Sequence, residues 1–161
     1  MARRIEIKFE KRGVSCVAEL LDDLAPRTCE AMWQSMPLGA DAFHARYANH
    51  EVYTLVPPFA DPELGLENPT ILPIPGDVVY MFFPPGVLPN PDVPEASYSK
   101  GVVDLALFYD RDNFLFSPMT GPMPANRFAT ITENFEEMAQ ACDNVWREGS
   151  VGERLVFWRL E

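Results

Sequence analysis

At 161 residues, with 47 % hydrophobic side chains, the chain has the size of one domain and enough apolar residues for a core, which excludes a disordered polypeptide. Its formal charge of -11 at pH 7 repels phosphate backbones and anionic lipid headgroups, so nucleic acid and membrane surfaces are not expected partners, and solubility is the plain reading of that charge. Three cysteines without C-x-x-C spacing exclude a disulfide framework and a thiolate zinc site.

Met1 to Arg4 is basic at its end, but Glu6, Lys8 and Glu10 interrupt the next stretch, so no signal peptide is expected and the cytoplasm is the expected location. Ile5, Ile7 and Phe9 alternate with those charges, Lys11-Arg12-Gly13 supplies a turn, and Val14, Cys16, Ala18 and Leu20 alternate again, which predicts a hairpin. Pro26 then fits the first position of a helix, with Asp22 and Asp23 on the side where the helix dipole favours negative charge. Ala25, Cys29, Met32, Trp33 and Met36 form one apolar stripe, and Pro37 and Gly39 end it.

Val56 to Pro75 holds six prolines and predicts a stiff irregular loop. Gly76-Asp77 leads into a strand at Val78 to Phe83, and Pro84 to Ser97 is a second proline-rich loop. Val102 to Tyr109, Asn113 to Ser117 and Arg127 to Thr132 predict further strands. Thr130-x-x-Glu133 resembles a capping box for a helix carrying Phe135, Met138, Ala139, Cys142, Val145 and Trp146, with Gly149 past its end. A strand over Val151 to Leu160 closes the order, and Cys16, Cys29 and Cys142 all fall on apolar faces as small core residues. Residues 1–161 therefore read as a single mainly β domain, a closed antiparallel barrel with two helices, because closure removes the exposed edges.

The polar centre of the sequence is Phe43 to Tyr53, expected as a strand or bent strand lining a pocket. It holds both histidines, His44 and His50, together with Arg46, Tyr47, Glu51 and Tyr53. Arg46 could grip a carboxylate or amide oxygen, and His44, two residues away on the same strand face, could act beside it as a base or donor. His50 and Glu51 are adjacent and would point to opposite faces. Neither H-x-H nor H-E-x-x-H spacing is present, so no metal and no cofactor are expected.

Ala18 to Trp33 (AELLDDLAPRTCEAMW), Met36-Pro37, His50 to Tyr53 (HEVY) and Pro75 to Tyr80 (PGDVVY), in that order, resemble the cyclophilin-like fold, and most closely small uncharacterised bacterial proteins that share that barrel. The resemblance spans nearly the whole chain and implies an eight-stranded barrel with two helices. True cyclophilins are prolyl isomerases whose catalytic arginine lies in a Phe-His-Arg run. Phe43-His44-Ala45-Arg46 carries one residue more, which turns the arginine to the other face unless a bulge absorbs it. Asn49-His50-Glu51 stands where that family has Gln-Gly-Gly, while Leu107-Phe108-Tyr109 matches its pocket phenylalanines.

Three functions stand as expectations. The first is a barrel binding a small anionic or carbonyl-containing molecule or a peptide, anchored by Arg46 with His44, and enclosed by rings among Tyr47, Tyr53, Tyr80, Phe82 and Phe108, with His50 at its edge. The second is an enzyme in the same pocket, a weak prolyl isomerase or a proton-transfer catalyst using His44 or Glu51. The third is an interaction module whose proline loops pack against another copy, giving a homo-oligomer.

Overall fold

Alternation of apolar and charged residues produces the expected first hairpin, β1 (Arg4–Phe9) and β2 (Val14–Leu20), in register from Arg4 opposite Glu19 to Phe9 opposite Val14. The computed structural model describes residues 1–88 and 99–161. Most of the second proline-rich loop, with Pro89, Pro91 and Pro94, lies outside them. The order continues with α1 (Pro26–Ser35), β3 (Leu38–His44), β4 (Glu51–Val56), β5 (Pro69–Thr70), β6 (Asp77–Phe83), β7 (Val102–Phe108), β8 (Phe116–Ser117), β9 (Gly121–Pro122), β10 (Ala125–Glu133), α2 (Phe135–Glu148) and β11 (Arg154–Leu160).

Eight of these strands form a closed antiparallel barrel in the order β2, β1, β11, β3, β4, β7, β6, β10, with β10 pairing back onto β2. The strand expected to close the order, β11, therefore lies inside it, between β1 and β3. Closure satisfies the edges that an open sheet of this size would leave unpaired. One set of alternating side chains fills the interior, including Ile7, Ala18, Val52, Tyr80, Leu105, Phe128 and Phe157. A register shift between Arg127 and Ala129 lets Phe128 and Ala129 both join that core, although they are neighbours in sequence.

Both helices lay their apolar stripes on this interior, through Cys29 and Met32 of α1 and Met138, Cys142 and Val145 of α2. Burial pushes the Cys16 and Cys29 thiols up to about 12, so both stay protonated, as core residues would. The first turn of α1 is served from a distance: the Glu67 carboxylate accepts from the N–H groups of Arg27 (3.2 Å) and Thr28 (2.8 Å). Asp22, expected to favour that helix start, is held instead by the Arg3 guanidinium at 2.5 Å.

The capping box expected at Thr130 and Glu133 does not form, because both residues remain in β10 and Glu133 still pairs with Val17. Asn134, in the left-handed region at φ 60°, makes the turn into α2, and its amide donates to the Ser15 carbonyl at 2.6 Å. Asn113 to Ser117 contributes only the two-residue β8, paired with β9. No helix among the described residues is long and apolar enough to cross a membrane.

Candidate functional site

The stretch Phe43 to Tyr53 is a hairpin instead of one strand. Phe43 pairs with Tyr53 and His44 with Val52, the Ala45 N–H donates to the Glu51 carbonyl at 2.9 Å, and the chain turns through residues 46–50. Asn49 takes a positive φ of 73° in that turn, and its amide donates to the Asp112 carbonyl at 3.0 Å. His44 ends β3 and Arg46 lies beyond it, so the two do not share a strand face as expected. Both nevertheless line one cavity.

That cavity is outside the barrel, on the outer face of β4, β7 and β6. There Glu51 lies opposite Phe108, Tyr53 opposite Ala106, and Leu55 opposite Asp104, which in turn lies opposite Met81. Ala45, Ala48, Leu115, Leu88 and Met123 cover this face and make a second apolar cluster with it. Between cover and sheet a hollow of about 310 Å³ remains, walled by Phe43, Tyr53, Met81, Phe83, Leu115 and Met123. Rings also reach it from outside: Tyr47, Phe116 and Trp146 line it while staying 61 %, 36 % and 62 % exposed. Trp146, expected among the buried residues of its helix, stands at this mouth with its ring 5.0 Å from that of His44.

Two carboxyl groups sit in this apolar setting. Glu51 and Asp104 are each 4 % exposed and both line the cavity. Glu51 Oε2 and Asp104 Oδ1 have no hydrogen-bond partner among the described residues. Burial without a partner disfavours the charged form, and it pushes Glu51 up to about 8. Asp104 is driven well above the carboxylate range, first by burial and then by the neighbouring Glu51 charge. Glu51 is therefore mostly protonated at neutral pH, and the same burial favours the uncharged form of Asp104 beside it.

His44 is committed elsewhere. Its Nδ1 donates to the Ala45 carbonyl at 2.8 Å, which leaves Nε2 to accept from the Tyr109 hydroxyl at 2.7 Å. Burial lowers its pKa, against the Ala45 bond that raises it, so the ring is neutral and fixed in one tautomer.

Of the residues expected at the site, His44, Arg46, Tyr47, Glu51 and Tyr53 line the cavity, whereas His50, Tyr80, Phe82 and Phe108 do not. His50 is turned away, with Nδ1 donating to the Arg111 carbonyl at 2.8 Å. Tyr80 and Phe82 follow the inward alternation of β6, where the Tyr80 hydroxyl donates to Glu63. Phe108 is fully buried in the outer cluster. Asp104 is absent from the residues expected at the site, although a lone acid inside VVDLALF is the signal that marks it. The described residues contain no group of three or more His, Cys, Asp or Glu placed to hold a metal ion.

The chain belongs to the DUF3830 family, described as a protein of unknown function, whose model matches residues 7–157. No curated protein matches it. Among solved structures it is similar to McbB in complex with tryptophan, at a TM-score of 0.58 and 16 % identity, covering 96 % of this chain and 44 % of that one. The chain thus spans less than half the length of McbB. It is also similar to the hypothetical protein AF2241 from Archaeoglobus fulgidus, at a TM-score of 0.50 and 19 % identity, covering 99 % of this chain and 95 % of that one. At such identities the likeness carries the barrel and no chemistry.

Proposed function

We propose that this barrel, of the cyclophilin-like type, binds a small amphipathic molecule in the outer-face cavity. The apolar body rests against Phe43, Tyr53, Met81 and Leu115, and the polar end reaches Glu51 and Asp104. Arg46, at the exposed rim, is placed to meet a carbonyl or carboxylate on the part of the ligand nearest solvent. The observation that carries this reading is the pair of buried acids, each with an oxygen lacking a partner among the described residues. An unsatisfied buried polar atom costs about 1–3 kcal/mol, so two of them destabilise the empty protein, and a ligand that supplies the missing partners recovers that loss. Tryptophan in McbB, a ring with a charged end, is a ligand of this amphipathic kind.

A thermal-shift screen with small amines, carboxylates, cyclic amides and proline peptides tests the reading. At least one class is expected to stabilise the protein, and Met123→Trp, which fills the hollow, is expected to abolish the effect. No stabilisation by any class removes the binding reading.

A second reading is a proton-transfer catalyst, and the observation favouring it is the buried Glu51 carboxyl lining the hollow with one oxygen lacking a partner among the described residues, its pKa pushed up to about 8 by burial. With both nitrogens of His44 engaged, the proton would move through Glu51. Glu51→Gln is then expected to lower kcat for any substrate found by far more than it weakens that substrate's binding. A prolyl-isomerase assay on wild type and Arg46→Ala separates off the isomerase version, which background rates in both would end.

A further inference from the structure

We propose that the ligand of the outer-face cavity is an organic ammonium: a protonated amine on an apolar or aromatic body, its N–H groups donating to the unpartnered oxygens of Glu51 and Asp104. This rests on the binding reading above and names the chemical class of the ligand.

Three separate features lead there. Among the described residues, the buried lining groups with an oxygen lacking a partner are both carboxyls, since the buried Ser117 hydroxyl already accepts from the Met119 N–H, and an ammonium offers up to three donors and no acceptor to serve them. A ligand carboxylate or carbonyl can only accept from the O–H groups of the protonated acids, whereas an ammonium can donate to their oxygens in either protonation state. The mouth is ringed by the exposed faces of Tyr47, Phe116 and Trp146, surfaces that attract a cation before it is desolvated. The chain carries a formal charge of -11, a field that draws cations toward the protein and holds anions off.

Among the described residues, the charged and titratable groups lining the site besides the two acids are His44 at the end of β3, Arg46 and Tyr47 in the β3–β4 turn, and Tyr53 on β4. The segments contributing Leu115 to Met123 and the end of α2 present no charged lining residue. His44 is neutral in its Tyr109 bond, and Arg46 is exposed, where solvent screens it. The acids therefore dominate the interior.

Because burial keeps the empty acids protonated, seating the ammonium breaks an O–H bond of Glu51 or Asp104. The proton leaves to the buffer, the electron pair stays on oxygen, and the carboxylate pairs with the ammonium. Binding is thus linked to proton release and strengthens as pH rises.

Calorimetric titration of the wild-type chain with 2-phenylethylamine, 2-phenylethanol and 3-phenylpropionate, at pH 6, 7 and 8 in two buffers of different ionisation heat, tests this. The amine is expected to bind at least about tenfold more tightly than the alcohol at pH 8, to weaken by about tenfold or more at pH 6, and to release about one proton at pH 7. In Glu51→Gln and Asp104→Asn both the preference and the pH dependence are expected to collapse while alcohol binding persists; the wild-type pH series decides the question even if a variant fails to fold. Alcohol or carboxylate binding as tightly as the amine, or amine binding without proton release, overturns the ammonium and leaves the binding pocket standing. Binding by none of the three, together with an empty thermal-shift screen, overturns the pocket as well.

Discussion

Glu153, just before β11, and Glu51, at the start of β4, are both buried, and the chain treats them in opposite ways. Glu153 accepts hydrogen bonds from the N–H groups of Lys11 (2.8 Å), Arg12 (3.1 Å) and Arg154 (2.9 Å), and from the Arg12 guanidinium at 3.0 Å. Burial alone would push its carboxyl up, but these donors together hold it below the usual range. Glu51 is as deeply placed, and one of its oxygens has no donor among the described residues. Glu153 fastens the β1–β2 turn to the start of β11, a structural use of a buried charge. Depth is common to both, so depth alone does not mark a site; the missing partners beside a hollow do.

The largest expected effect comes from breaking the satisfied acid. Glu153→Ala strips a buried guanidinium contact and leaves three N–H groups without their acceptor, and is expected to destabilise the protein by about 3–5 kcal/mol in urea unfolding. Glu51→Gln is expected to act in the opposite direction. Its pKa rises from 4.5 to about 8 on folding, so the native state binds more protons than the unfolded one between those values and stability falls as pH climbs through that window. Removing the charge should stabilise the ligand-free protein by about 2–4 kcal/mol at pH 8 and by little at pH 5. Glu153 runs the other way: its contribution is present above the unfolded carboxyl value and is lost as pH falls through its depressed folded pKa.

Asp104→Asn should stabilise in the same direction as Glu51→Gln, and the two effects should fail to add, because each acid's charge raises the cost of the other's. A double-mutant cycle at pH 8 that gave strict additivity would separate the acids into independent sites. The smallest effect is expected from Tyr109→Phe, which removes the hydroxyl donor to His44 Nε2 at a cost of about 1 kcal/mol, measured by thermal unfolding.

The sequence carried the barrel further than the site. Strand alternation and helical stripes are local signals, and they placed β1, β2, α1, β6, β7 and α2 within a few residues of where they stand. The hairpin nature of residues 43–53 depends on the left-handed Asn49 and on the anchoring of that turn to Asp112 and Asn113, which no alternation encodes. Glu51 was legible as an acid in a polar cluster. Asp104 was hidden because a strand buried on both faces reads as one apolar run, and its place in the cavity is set by the register that puts it between Leu55 and Met81. Trp146 looked like core because its helical spacing is right; it is the last turn of α2, passing beside His44, that turns it to the mouth.

The cavity's role as a binding site depends on Glu51 and Asp104, each with an oxygen lacking a partner among the described residues, keeping their protons in the ligand-free protein. Carboxyl-carbon NMR of the ligand-free wild-type protein, titrated from pH 3 to 9 and assigned with Glu51→Gln and Asp104→Asn, measures this directly. The pair is expected to titrate as a coupled unit with no step in the ordinary carboxyl range and its first apparent pKa near 8. Two steps at the ordinary values of about 4 would contradict it, and with it the cavity as a binding site built on unpaired acids.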